Sequence, residues 1–206
     1  PSVVSIQVAY SSTQGASGSG IILSSDGLVL TNAHVVNNAR EMAVVTNGNQ
    51  MYEAKLVGID TLSDIAVVSV KGMRGIRPIE IGNSQNLAVG QEVVAVGAPL
   101  GLTGTVTSGI ISALNRPVHT SSQGPRSEGQ DTVMNSIQTD ADINPRTTGG
   151  ALVDMNGRLI GVNSAIVSLG GGNPYTGEAS GGNIGLGFAI PVNQARLIAS
   201  ELVKNG

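Results

Sequence analysis

Short apolar runs separated by turn residues recur along almost the whole chain of 206 residues. Runs rich in Val and Ile that are bounded by Gly, Asn, Asp or Ser are typical of β-strands. About a dozen are found, at 3–8, 20–23, 28–31, 43–45, 52–59, 65–70, 92–96, 104–114, 136–139, 151–153, 159–164 and 185–190. This rhythm predicts an all-β fold of the sandwich or barrel type.

The composition supports that fold class and excludes several functions. The chain has one Phe, three Tyr and no Trp, so its core must consist of Val, Ile, Leu and Ala, which suit strands. A net charge of -3 leaves no basic surface for nucleic acid. Without cysteine there can be no disulfide, thiolate zinc site or cysteine nucleophile, and two histidines are too few for most His-rich metal sites. We therefore expect no cofactor and no nucleic-acid partner.

Three further segments depart from the strand rhythm. The stretches 120–132 and 168–183 are polar and glycine-rich, and loops of this length are functional, disordered or surface excursions without a role. The glycine-rich stretches 170–172 and 181–185 also raise a nucleotide-binding alternative, but no strand-turn-helix context supports it. Residues 191–206 are expected to form an amphipathic helix. No apolar run approaches the length needed to span a bilayer, and no signal peptide is evident.

Two side chains stand at the ends of predicted strands and could act together. His34 lies three residues after the run 28–31, and Asp64 comes thirty residues later, immediately before the run 65–70. A carboxylate beside an imidazole can accept its N–H, fix its tautomer and stabilise its cation. The ordinary alternatives are a structural histidine and a turn aspartate, and Asp60 is a competing candidate for the carboxylate.

A hydroxyl group completes a possible catalytic triad. Thr148 is followed by Gly149, Gly150 and a predicted strand. This arrangement places a side chain on a tight turn whose backbone amides can converge on an oxyanion. A Gly-Gly pair alone carries little information, so the argument depends on the order histidine, aspartate, hydroxyl in an all-β chain.

With that order, the sequence resembles the chymotrypsin-like serine proteases of the HtrA/Deg family over nearly its full length. Seven segments carry the resemblance, at 18–22, 31–35, 63–67, 96–101, 107–112, 138–141 and 185–191. The resemblance implies one trypsin-like protease domain over 1–206. It would comprise a first six-stranded β-barrel at about 1–84, a second at 85–190 and a C-terminal helix at 191–206, with the active site between the barrels.

The resemblance also implies a biological setting. Members of the family are serine endopeptidases that act on unfolded or misfolded polypeptides in protein quality control. It implies a location in the cell envelope, periplasmic or otherwise extracytoplasmic, and assembly as a homotrimer. A PDZ domain usually follows the protease domain, and these 206 residues contain no counterpart of it.

The chain departs from the family at the nucleophile. Where the family has Gly-Asn-Ser-Gly-Gly, this chain has Arg146-Thr147-Thr148-Gly149-Gly150. Thr148 keeps a hydroxyl, but its methyl group restricts χ1. Arg146 replaces the glycine whose amide is one of two oxyanion donors, and losing one donor costs about 10²–10³ in rate. With Arg146, Thr147 and Thr148 as the altered oxyanion segment, we expect weak or no activity; the alternative is a non-catalytic peptide-binding or chaperone-like module.

The resemblance places the substrate pocket at Asp142, Ile143, Asn144, Gly185 and Leu186. Asp142 lies six residues before Thr148, where trypsin-like enzymes carry the acid that selects basic side chains. The family instead prefers small aliphatic residues such as Val or Ala. Asp142 could equally pair with Arg146, so both interpretations stay open.

Overall fold

A computed structural model describes residues 2–73, 76–98, 104–120, 132–145, 147–165 and 186–205. The described residues form two closed six-stranded barrels and a C-terminal helix. The predicted all-β fold of two chymotrypsin-like barrels is therefore confirmed. The predicted loop interiors at 121–131 and 168–183 lie outside the described residues.

The first barrel is antiparallel throughout and is closed in the order β1-β2-β3-β6-β5-β4. A one-turn helix, α1 (Ala33–Val36), follows its third strand. Valine and isoleucine fill its interior because alternate residues of each strand point inward. Its strands are β1 (Val3–Ala9), β2 (Gly15–Ile22), β3 (Leu28–Thr31), β4 (Glu41–Val45), β5 (Met51–Asp60) and β6 (Ile65–Val70).

The second barrel repeats this architecture in the order β10-β11-β12-β9-β8-β7. A 3₁₀ turn (Ser84–Asn86) precedes it, and α2 (Val192–Asn205) follows it. Its strands are β7 (Glu92–Gly97), β8 (Thr105–Thr120), β9 (Thr132–Thr139), β10 (Ala151–Asp154), β11 (Leu159–Ser164) and β12 (Gly187–Pro191).

β2, β8 and β9 extend at least four residues beyond the sequence prediction. β2 begins at Gly15 rather than residue 20, because its small polar residues pair with the end of β1 in a hairpin. β8 continues past residue 114 to Thr120, although Pro117 cannot donate a ladder hydrogen bond. Register shifts between Ile111 and Arg116 absorb the irregularity, and Asn115 adopts a φ of 53° there.

The barrels share a hydrophobic core that the C-terminal helix closes. This core joins Ile21 and Ile65 of the first barrel to Leu159 and Ile190 of the second, and Ala195 of α2 packs against it. α2 contacts β5 and β6 on one side and β11 and β12 on the other. The helix therefore fixes one barrel against the other. Neither helix in the described part of the chain is long and apolar enough to cross a membrane.

Candidate active site

The imidazole of His34 is held against the carboxylate of Asp64. α1 projects His34 from the end of β3, and Asp64 is the residue before β6, which pairs with β3. His34 Nδ1 lies 2.9 Å from Asp64 Oδ1 and 3.0 Å from Oδ2, and the backbone N–H of His34 also donates to Oδ1 at 3.0 Å. Nδ1 is thus occupied, which leaves Nε2 for proton transfer.

Other groups fix the position of Asp64, which is only 2% exposed. Ser164 Oγ donates to Asp64 Oδ2 at 3.1 Å. The backbone carbonyl of Asp64 accepts hydrogen bonds from Asn32 Nδ2 at 3.0 Å and from the Ala33 N–H at 3.2 Å. These bonds support a backbone φ of 55°, which is uncommon outside glycine. The carboxylate is therefore rigidly placed before any substrate arrives.

Asp60, the competing carboxylate, does not contact the histidine. Its side chain accepts hydrogen bonds from the backbone N–H of Leu62 at 3.0 Å and from the hydroxyl of Ser63. It therefore stabilises the turn between β5 and β6, and the structure brings Asp64 to His34 instead.

The turn before β10 carries Thr148, which is 2% exposed. Its carbonyl accepts the N–H of Ser19 at 2.8 Å, so this turn of the second barrel is tied to β2 of the first. Gly149 has a φ of 79°, and a Cβ there would lie 2.2 Å from the Ser19 carbonyl oxygen. Only glycine allows this close approach, which sets the position of Thr148 relative to the first barrel.

His34 and Thr148 line the same cleft between the barrels, whose volume is about 230 Å³. Thr148 Oγ1 accepts the backbone N–H of Ala165 at 3.0 Å. Among the described residues, Thr148 and His34 form no hydrogen bond with each other. The structure thus places His34 and Thr148 at one cleft, with Asp64 buried behind the imidazole, and Thr148 Oγ1 accepts from Ala165 rather than bonding to the imidazole.

The amides near Thr148 are already hydrogen-bonded within their own turn. The N–H groups of Thr147 and Thr148 both donate to the carbonyl of Asn144, at 2.9 and 3.2 Å. The Thr147 hydroxyl lies 3.0 Å from both the N–H and the carbonyl oxygen of Asn144. Arg146, the remaining residue of the predicted oxyanion segment, lies outside the described residues.

The predicted substrate-pocket residues occupy different environments. The Asp142 side chain is exposed, and its carboxylate lies 3.5 Å from Asn144 Nδ2. Ile143 is 6% exposed and belongs to the core of the second barrel, where a Cβ at Gly187 would lie 3.1 Å from it. Leu186 is 36% exposed, and Gly185 lies outside the described residues.

Sequence reasoning missed two contributors to the site. Ser164 supports Asp64, and Ala165 holds the Thr148 hydroxyl. Both lie at the end of β11. His34 and Asp64 also lie next to strand ends, and this position is the only sequence signal that could have identified Ser164 and Ala165. Within the described residues, no group of three or more His, Asp or Glu side chains could hold a metal ion.

Comparison with known proteins places the chain in a family. A trypsin-like peptidase domain model matches residues 18–162. Serine protease PepD of Mycobacterium tuberculosis is 50% identical over 100% of this chain, which covers 45% of PepD. The periplasmic pH-dependent serine endoprotease DegQ of Escherichia coli is 44% identical over 92% of this chain, which covers 38% of DegQ. The chain thus spans less than half the length of these relatives.

A solved structure agrees with the sequence relatives. The HtrA-type protease AlgW with a tripeptide superposes with a TM-score of 0.82 at 35% identity, covering 100% of this chain and 61% of AlgW. The matching family model, the two-barrel architecture and the His34–Asp64 geometry all indicate a trypsin-like protease. The chain belongs to the HtrA/Deg family of trypsin-like serine proteases.

Proposed function

We propose that the chain is an endopeptidase domain for unfolded or misfolded polypeptides, with His34 as general base, Asp64 as its orienting partner and Thr148 at the nucleophile position. The observation that carries this proposal is the His34–Asp64 pair beside a cleft that Thr148 also lines. A carboxylate that is tightly bound to Nδ1 orients the imidazole and stabilises its cation while Nε2 transfers protons.

The proposed reaction proceeds in two halves. His34 Nε2 takes the hydroxyl proton as Thr148 Oγ1 bonds to the scissile carbonyl carbon, and the Asp64 carboxylate stabilises the resulting imidazolium. When the tetrahedral intermediate collapses, the C–N bond breaks and the imidazolium gives its proton to the leaving amine. Water, deprotonated by His34, then attacks the threonyl ester, and the acid product leaves with the Thr148 hydroxyl restored.

Three features support slow turnover. The Thr148 methyl group restricts χ1 at the attacking atom. The Thr147 and Thr148 amides donate to Asn144, so they must leave that carbonyl before they can stabilise an oxyanion. Arg146 stands where the family has the glycine that supplies an oxyanion donor. A missing donor costs about 10²–10³ in rate, so these effects together reduce activity strongly or abolish it.

Casein digestion tests the proposal. The parent chain, the double variant Arg146→Gly, Thr148→Ser and the same double variant with His34→Ala are incubated with unfolded casein. We expect the double variant to degrade casein at least 10²-fold faster than the parent, and the triple variant to be inactive. A parent as active as the double variant would overturn the impairment, and an inactive double variant would overturn the protease assignment.

For the residue before the scissile bond we propose a small aliphatic side chain. The exposed carboxylate of Asp142 and the buried Ile143 beside Gly187 favour an apolar pocket over a basic-residue pocket. Cleavage by the double variant of two peptides that differ only in Val or Arg at this position distinguishes the apolar pocket from the basic-residue pocket. Faster cleavage after Arg would restore the role of Asp142 as a charge selector.

A second candidate function is a peptide-binding or chaperone-like module that uses the same cleft. The favouring observation is that both the hydroxyl and the amide of Thr148 already have partners, so the resting site is not arranged for attack. Extended peptides can bind by strand addition without turnover. Suppression of casein aggregation by the parent, without fragments, would support this function.

The remaining proposals concern the whole protein. DegQ and DegP of Escherichia coli are named periplasmic proteases, which supports an extracytoplasmic location for this chain. We also propose a homotrimer and, in the full-length protein, a PDZ domain after the protease domain. Analytical ultracentrifugation tests the assembly: a purely monomeric species at micromolar concentration would contradict the trimer.

A further inference from the structure

Three asparagines of the chain are directly followed by glycine, at positions 47, 156 and 205. Such an asparagine can lose its side-chain amide without an enzyme, because glycine leaves the next backbone nitrogen unhindered and lets the chain bend towards the side chain. Asn47 and Asn156 both lie in exposed hairpin turns, between β4 and β5 and between β10 and β11. The third pair includes Gly206, which lies outside the described residues.

The two turns, at 46–50 and 154–158, have the same backbone architecture. In both, the N–H of the first residue donates to the carbonyl of the fifth at 3.0 Å, and the N–H of the fourth donates to the carbonyl of the first at 2.9 Å. The fourth residue is left-handed in both, with a φ of 58° at Asn49 and 78° at Gly157. A tight turn followed by one left-handed residue is a common hairpin connection. The two turns therefore differ in sequence rather than in backbone form.

The Asn-Gly pair is shifted by one position between the two turns. The pair at 47–48 takes the second and third positions, whereas the pair at 156–157 takes the third and fourth. The N–H of Gly157 is therefore the one that donates to the Asp154 carbonyl, and the Asn156 N–H donates to Asp154 Oδ1 at 2.9 Å. Within the described residues, neither the Gly48 N–H nor the Asn47 side chain has a hydrogen-bond partner.

We propose that Asn47 is a site of spontaneous deamidation and that the turn at 154–158 protects Asn156 from the same reaction. Hydroxide removes the Gly48 amide proton, and the nitrogen bonds to Cγ of Asn47. The bond from Cγ to the side-chain nitrogen then breaks, and ammonia leaves a five-membered succinimide. Water adds to one of the two ring carbonyls and breaks its bond to the ring nitrogen, which gives aspartate or isoaspartate.

The hydrogen bond of the glycine amide decides the rate, because attack requires the nitrogen to approach the side-chain carbonyl in a defined geometry. The Gly48 nitrogen is free to do so within the folded turn. The Gly157 nitrogen must first leave the Asp154 carbonyl, which opens the turn. Exposure does not distinguish the two sites, since both pairs are exposed.

The reaction changes the first barrel away from the catalytic cleft, which no residue of 46–50 lines. Each conversion adds a negative charge to a chain whose net charge is -3. Isoaspartate also brings its Cβ into the backbone, so the turn becomes one atom longer and the bond from the Asn49 N–H to the Thr46 carbonyl is disturbed. The proposal does not depend on protease activity.

Peptide mapping of the aged protein tests the inference. The folded parent is incubated at mildly alkaline pH, digested under acidic conditions and analysed by liquid chromatography and mass spectrometry, which separates the Asn, Asp and isoaspartate peptides. We expect Asn47 to convert at least about 10-fold faster than Asn156. In guanidinium chloride, which removes both turns, the two rates should become similar. Equal rates in the folded protein would overturn the inference, as would a difference that persists unchanged in the unfolded chain.

Gly48→Ala tests the attacking nitrogen directly. The added Cβ would meet only Thr46 Oγ1, at 4.0 Å, so the variant should fold normally. We expect conversion of Asn47 to slow by about 10-fold or more, because the methyl group hinders ring closure, while the rate at Asn156 serves as the internal control and stays unchanged. An unaltered rate at Asn47 in this variant would rule out the succinimide route.

Discussion

His34 and Asp64 are joined by both side chain and backbone: Asp64 Oδ1 accepts the His34 backbone N–H at 3.0 Å and lies 2.9 Å from Nδ1 of the same residue. One carboxylate oxygen thereby fixes the start of α1 and the plane of the imidazole together. Because Asp64 is 2% exposed, water cannot easily replace either bond. The orientation of the base is therefore built into the fold.

Asp64→Asn is expected to lower kcat by about 10⁴-fold in the Arg146→Gly, Thr148→Ser enzyme, because an amide can hold the imidazole in the wrong tautomer. Casein or peptide cleavage measures the loss. Asp60→Asn is the matched control, since Asp60 bonds only within its turn among the described residues. A loss at Asp60 equal to that at Asp64 would show that the effect is structural rather than catalytic.

Gly149→Ala should destabilise the fold as well as the site. A positive φ costs a non-glycine residue about 1–2 kcal/mol, and the new methyl group would lie 2.2 Å from the Ser19 carbonyl oxygen. Such overpacking adds about 1–3 kcal/mol. Gly72→Ala is the control, because Gly72 has a φ of 74° with nothing near its added Cβ. Urea unfolding should show the extra loss at Gly149 alone; equal losses would mean that the clash relaxes freely.

The sequence predicts the structural features that depend on the local pattern of residues. Alternating apolar residues and turn residues predict the twelve strands, and strand ends mark His34 and Asp64 as candidates. What it does not predict depends on barrel closure. Ser164 meets Asp64 across a hundred residues of sequence, and Asn144 accepts the amides of Thr147 and Thr148 through a turn that no propensity specifies.

The difference between local sequence pattern and barrel closure also explains the strand boundaries. The start of β2 is polar and glycine-rich, and it becomes a strand because β1 provides a hydrogen-bonding edge. β8 runs through Asn115 and Pro117 because β9 continues to pair beyond the irregularity. Intrinsic preference is overridden where a neighbouring strand supplies partners for the backbone.

Leu202→Ala should weaken the attachment of α2 to the barrels. Leu202 packs against the shared core, and a Cβ at Gly58 of β5 would lie 2.9 Å from the Leu202 Cβ. Truncating this partly buried side chain should cost about 1–3 kcal/mol. Val203→Ala, at a neighbouring position that is 41% exposed, should stay within about 0.5 kcal/mol. Similar losses at both positions would mean that α2 does not depend on this contact.

Asp154 makes the stability of the fold depend on pH in the acidic range, through the turn between β10 and β11. Burial alone would raise the pKa of its carboxyl group. Hydrogen bonds from the backbone N–H groups of Arg158 and Asn156, and the Arg158 guanidinium, outweigh burial and hold the pKa below its ordinary value of 3.8. The Arg158 Nε lies 2.9 Å from Asp154 Oδ2. The folded protein therefore favours the ionised carboxylate more than the unfolded chain does.

A lowered folded-state pKa fixes the direction in which the stability of the fold changes with pH. The stabilisation is present above the unfolded pKa and is lost as the pH falls below 3.8 through the folded pKa. Asp154→Asn removes the titrating group, so the free energy of unfolding of the parent should exceed that of the variant at pH 7, and the gap should shrink by pH 3. Urea unfolding of both proteins at the two pH values measures this. A gap that stays constant or widens in acid would show that the carboxylate does not stabilise the turn through its charge.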